Sequence, residues 1–195
     1  MRLEPRRLRI CNPREMIHGP RRGDFLDTNK SRDILNEILQ EMDDFASMKS
    51  IAYPPIYLLG GSGCIVAGYL DRATTDIDLI DMEYDASMGR ILRILENYDF
   101  LDLFLTTIPE DFASRTTKIK QFKNIYVLSK EDIILSKIGR YSLIDQEDIS
   151  HLLVTSDTVL LLRLAIDVTN RSNISERIKQ VFVKNFMSFR KDFDV

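Results

Sequence analysis

A proline pair, a β-forming tetrapeptide and a glycine cluster stand back to back in this chain, and they leave the backbone between residues 53 and 64 little freedom. Pro54 and Pro55 cannot continue a helix, so the helical recurrence of Ile34, Leu35, Ile38, Leu39, Met42 and Phe45 has to stop by Tyr53. That helix is expected over 27–49, with Thr28 or Ser31 as its cap. Ile56-Tyr57-Leu58-Leu59 follows as a strand, and Gly60-Gly61-Ser62-Gly63 turns the chain into a short helix expected over 64–69.

Downstream, strand and helix patterns alternate. Strands are expected at 75–82 and 100–106, with an amphipathic helix opened by Asp85 between them, and 118–128 holds one or two more around Asn124. From Ser129 onward the periodicity is helical, with helices expected at about 129–140, 145–154, 157–169 and 174–189. The chain therefore reads as α/β (α+β): a mixed sheet flanked by helices, followed by a C-terminal helical segment. The expected organisation is an Arg-rich arm over 1–26, an α/β core over 27–130 and a helical segment over 131–195 packed on that core.

Composition narrows the function classes. Two cysteines, Cys11 and Cys64, and two histidines, His18 and His151, supply neither a disulfide framework nor a standard zinc site. Reduced thiols and a cytoplasmic location are the natural expectation. The net charge of −3 conceals an asymmetry, because residues 1–22 carry seven Arg against Glu4 and Glu15 while the rest of the chain sums to −8. Such an arm suits a phosphate backbone or an acidic partner, or is simply solvated. The densest apolar stretch, from Val159 to Val168, is broken by Arg163 and Asp167 and is too short to span a bilayer, so no membrane partner is expected.

Four features carry chemistry. Glycines at 60 and 61 let a ligand approach the backbone, the following helix start offers N–H groups to an anion, and Ser62 adds a hydroxyl; an ordinary tight turn is the plain alternative. Asp76 and Asp78 flank Ile77 within an apolar strand, and residues i and i+2 of a strand share a face. Two adjacent carboxylates repel unless a cation neutralises them, and Mg²⁺ or Mn²⁺ is the hard, oxygen-binding choice; an exposed strand end is the plain alternative. Asp102, in a third β-rich run, completes a three-carboxylate cup if that strand neighbours the first, with Asp99 as the other candidate. Lys137 falls on the apolar face of its helix among Ile133, Ile134 and Ile138, where an ammonium needs a carboxylate or a phosphate, or reaches water along its own stem. Asp145 is expected to cap the next helix, with Asp148 at its N3 position.

Gly60-Gly61-Ser62, a short helix, and Arg72-Ala-Thr-Thr75-Asp76-Ile-Asp78 resemble the signature of the nucleotidyltransferase superfamily of polymerase-beta-like enzymes. Lys137-Ile-Gly-Arg140 with Asp145-x-x-Asp148 is similar to the lysine and D-x-x-D motifs of the abortive-infection type E toxin branch and related small domains. The resemblance runs from about Ile56 to Leu153. It implies that Gly60, Gly61, Ser62, Arg72, Thr75, Lys137 and Asp145 bind a nucleotide, and that Asp76, Asp78 and Asp102 hold Mg²⁺ or Mn²⁺. Asp76, Asp78, Asp102 and Lys137 would be catalytic. The implied reaction moves an NMP from an NTP to a hydroxyl of RNA or protein, as the toxin of a toxin–antitoxin pair or in phage defence, where an antitoxin protein would be a partner. A catalytically inactive nucleotide- or partner-binding module of the same fold is the competing expectation, and a structural interaction protein a third.

Overall fold

The computed structural model describes residues 29–195 apart from Glu83, Glu96, Asn97 and Phe104. The seven arginines of the N-terminal arm, Cys11, His18 and the candidate cap Thr28 lie outside the described residues.

Helix α1 (Arg32–Met48) begins at Ser31, whose side chain accepts from the Ile34 amide, and it buries Leu35, Leu39, Met42 and Ala46 on one stripe. Asp43 shares that stripe and accepts from the Tyr53 hydroxyl and from the Lys123 amide, tying the helix to the two segments that border the sheet. The strands are β1 (Ile56–Leu58), β2 (Ile77–Asp81), β3 (Tyr98–Asp102), β4 (Thr117–Lys118) and β5 (Ile125–Val127). They form one mixed sheet in the order β3-β2-β1-β5-β4. β2 runs parallel to β3, β1 runs parallel to β5, and β1 meets β2 antiparallel at Leu58 opposite Leu79.

Helix α2 (Gly60–Ala67) leaves β1 after a single residue, Leu59. It starts four residues earlier than its composition suggests, so the glycines form its first turn and no separate turn precedes it. Glycine's helix propensity is poor, and here it yields to packing: Gly61 to Val66 are all buried. Helix α3 (Ala86–Leu92) follows Asp85, whose Oδ1 accepts from the Met88 amide.

The C-terminal helices are α4 (Lys130–Arg140), α5 (Leu143–Leu153), α6 (Thr158–Asn170) and α7 (Glu176–Phe193). Ser129, Ser142, Asp157 and Ser175 cap them in turn. Asp145 sits at N3 of a capping box with Ser142, rather than at the N-cap. Helix α4 packs against α2, α5, α6 and α7 and is the hub of this half. Along α7, Phe182, Phe186, Phe189 and Phe193 stack in succession with ring centroids 5.8, 5.7 and 5.4 Å apart. Among the described residues no helix is long and apolar enough to cross a membrane.

Candidate active site

Asp78 sits against the glycine turn because nothing else occupies the space. Gly60 has a φ of +61°, and a Cβ built there would lie 1.9 Å from Asp78 Oδ2. A Cβ on Gly61 would come within 2.8 Å of Arg72 Nη2. Ser62 Oγ accepts from the Asp78 amide at 2.9 Å and donates to the Leu59 carbonyl at 3.3 Å, and the residue is fully buried. Its hydroxyl thus clasps the Asp-Ile-Asp strand to the glycine turn. Asp76 stands just before β2, exposed, and accepts from Thr75 Oγ1 at 2.9 Å. Thr75 is also exposed; its carbonyl takes the Lys30 ammonium, which fixes the approach to β2.

The strand register decides which third carboxylate joins the pair. In the parallel β2–β3 ladder Asp78 stands opposite Asp99, while Asp102 stands opposite Asp81. By alternation Asp81 and Asp102 point to the other side of the sheet. Asp99, the other candidate the sequence offered, is therefore the acidic residue beside Asp78 in the ladder, and Asp102 stands beside Asp81. The Asp78 carboxyl is raised to about 6, chiefly by burial and also by the charges of Asp76 and Asp99, against the opposing pull of Lys137 and Arg140.

Behind Asp78 lies a network of ion pairs. Arg72 donates through Nε and Nη2 to both oxygens of Asp148, at 2.8 and 2.7 Å. Lys137 Nζ lies 2.6 Å from Asp148 and 3.5 Å from Asp145. Arg140 clamps Asp145 through Nε and Nη2 at 2.9 and 2.7 Å. Asp145 is 0% exposed and also accepts from the Ser142 amide and hydroxyl, so both its oxygens are engaged within the protein. Burial alone would raise Asp145, but the bonds from Arg140 and Ser142 and the charge of Lys137 outweigh it and hold the carboxyl down to about 2. Asp148 follows the same balance: burial opposes ionisation, Arg72 and Lys137 outweigh it, and the carboxyl stays below its ordinary value. Lys137 is thus paired with protein carboxylates, Arg72 with Asp148, and Asp145 with Arg140, Ser142 and Lys137.

A cavity of about 340 Å³ opens beside this network. Gly60, Asp78, Lys137 and Arg140 line it, together with the apolar Leu59, Leu101, Leu105, Ile178 and Val181. Thr106, Thr107 and Leu105 reach it from the segment after β3, which Arg171 holds by donating to the carbonyls of Leu103, Thr106 and Ile108. Reasoning from sequence quoted Arg140 within the lysine motif without giving it a role and kept Asp99 as the second candidate for the third carboxylate; it did not single out Arg171 or Arg177. Arg140 was legible, one helical turn beyond Lys137 on the same helix; Arg171 and Arg177 carry no local signal.

Asp76 and Asp78 offer only oxygen donors, the set a hard divalent cation takes. Among the described residues no group of three or more His, Cys, Asp or Glu is gathered to hold a metal. The pair suits one cation whose remaining ligands are water or phosphate oxygens, and the expected three-carboxylate cup does not form.

No curated protein and no solved structure matches this chain. One family model does, over residues 32–193, which takes in the sheet, the glycine turn, the Asp-Ile-Asp strand and all four C-terminal helices. The chain thus belongs to a family described as nucleotidyltransferase of unknown function (DUF6036).

Proposed function

We propose that this protein is a divalent-metal-dependent nucleotidyltransferase that moves an NMP from an NTP to a hydroxyl of RNA or protein. The observation that carries the reading is the cavity on whose wall Gly60, Asp78, Lys137 and Arg140 meet. Asp76 and Asp78 would hold Mg²⁺ or Mn²⁺, which when bound neutralises phosphate charge and favours the attacking oxyanion. Gly60 leaves room for the triphosphate beside the carboxylates. The first N–H groups of α2 have no acceptor within their helix and suit a phosphate oxygen. Lys137 and Arg140 add positive charge while Asp145 and Asp148 keep them in place, so that positioning and charge carry the reaction.

A second reading, a catalytically inactive nucleotide- or partner-binding module, is favoured by one observation: no three-carboxylate group forms among the described residues. Incubation with each α-labelled NTP, Mg²⁺ or Mn²⁺, total tRNA and lysate protein separates the two. Label on RNA or protein that disappears with Asp76→Asn plus Asp78→Asn is expected. Metal-dependent NTP binding without label would favour the binding module. The resemblance to abortive-infection toxins extends the proposal to a toxin–antitoxin or phage-defence role; growth arrest on induction, relieved in the double variant, would accompany it.

A further inference from the structure

Each cation the sequence identifies at this site is already paired with a protein carboxylate. Lys137 is held by Asp148 and Asp145, Arg140 spends Nε and Nη2 on Asp145, and Arg72 is bound to Asp148. The network therefore pairs three cations with two carboxylates and leaves one net positive charge to set against the carboxylates of Asp76, Asp78 and Asp99. A single divalent cation and that one charge do not balance a triphosphate set beside those carboxylates. Another cation is needed on the cavity wall.

Arg177 meets that need. It lies in the first turn of α7, is exposed, and lines the cavity with Ile178 and Val181. Among the described residues it makes no ion pair or side-chain hydrogen bond, and its neighbour Glu176 is taken by Lys179 at 3.0 Å. The element that carries it is fixed: Asn185 Nδ2 donates to the carbonyls of Ile138 and Gly139 at 2.9 and 3.2 Å, and Phe182 and Phe189 are fully buried. A guanidinium presents paired N–H donors that match phosphate oxygens.

We infer that Arg177 binds the triphosphate of the incoming nucleotide, so that helix α7 completes the nucleotide site and Ile178 and Val181 close its apolar side. The inference deepens the nucleotidyl-transfer reading and rests on it. A solvated surface arginine would leave nucleotide affinity untouched by its removal.

Calorimetric titration of the full chain tests the assignment. The probes are the four NTPs and inorganic tripolyphosphate, each with Mg²⁺, against wild type, Arg177→Ala and Arg177→Lys. Arg163→Ala on the exposed side of α6, outside the cavity, controls for general charge. Arg177→Ala is expected to weaken NTP and tripolyphosphate binding about tenfold, the usual scale for one charged hydrogen-bonding contact. Arg177→Lys should recover part of that, Arg163→Ala should change little, and the melting temperature of the ligand-free protein should not move. Equal NTP affinity in wild type and Arg177→Ala, or an equal loss in Arg163→Ala, would overturn the assignment of Arg177 alone. A wild type that binds no NTP would overturn the transfer reading and this inference with it.

Discussion

At Gly60 a single absent methyl group decides where Asp78 can stand. Replacement by alanine places a Cβ 1.9 Å from Asp78 Oδ2 in a backbone conformation of φ +61° that L side chains adopt reluctantly. The backbone term costs about 1 kcal/mol, and the carboxylate can swing aside to relieve the contact. Gly60→Ala is therefore expected to fold with a modestly lower melting temperature but to lose metal-dependent nucleotide binding. Thermal melts with and without Mg²⁺ and NTP check this; a full nucleotide-induced stabilisation in the variant would refute it. The same residues show what was legible beforehand. Gly60, Asp76 and Asp78 stand out because a glycine turn and an i, i+2 carboxylate pair are local patterns. Asp99 against Asp102 was a question of register between strands separated in sequence by a helix, and alternation within one strand does not settle it. Ser62 stood out as a hydroxyl beside the glycines, but its bond from the Asp78 amide was not legible, because it depends on how β2 docks against α2.

The segment after β3 shows an element held by one side chain from far along the chain. Arg171, only 4% exposed, donates to the carbonyls of Ile108 at 2.6 Å, Thr106 at 2.9 Å and Leu103 at 3.0 Å. Hydrogen bonds from a charged donor contribute more than neutral ones, and leaving buried carbonyls unpaired is costly. Arg171→Met is expected to lower stability by about 2–4 kcal/mol and to weaken nucleotide binding, because Leu105, Thr106 and Thr107 lose their place on the cavity wall. Denaturant melts alongside nucleotide titration check it, and a change below 0.5 kcal/mol, the ordinary surface range, would show that the loop holds itself. Element types were readable: four C-terminal helices, the long first helix and the strand before the glycines all follow from period. The boundaries that shifted have physical causes. α2 begins inside the glycines because their small size admits tight packing against β1, and β3 begins at Tyr98 because it pairs with Ile77.

Across the whole molecule, charge joins the helical half to the sheet half. Arg72, in the connection from α2 to β2, reaches Asp148 of α5, which also holds Lys137 of α4; Asp145 of α5 then holds Arg140 at the end of α4. Both carboxylates are almost fully buried and held ionised, and Lys137 between them is buried too, so protonating either one weakens the pairing of a buried ammonium, while Arg140 stays largely exposed. Removing one partner of such a pair is more damaging than never having built it. The pH dependence follows in sign. Asp145 is held down to about 2, below its ordinary carboxylate value, so the folded protein binds that proton less readily than the unfolded chain. Its contribution is complete above about pH 4, shrinks as the pH falls, and is gone once the pH drops through the folded value. Two pH units of such a difference correspond to about 2–3 kcal/mol. Asp145→Asn is expected to destabilise the protein by at least that much at neutral pH, with the gap to wild type narrowing steadily between pH 4 and 2. Urea unfolding of both proteins at neutral pH and at several points below pH 4 measures it. A gap that is constant with pH would mean that packing around Asp145, and not its ionised pairing with Arg140 and Lys137, joins the two halves.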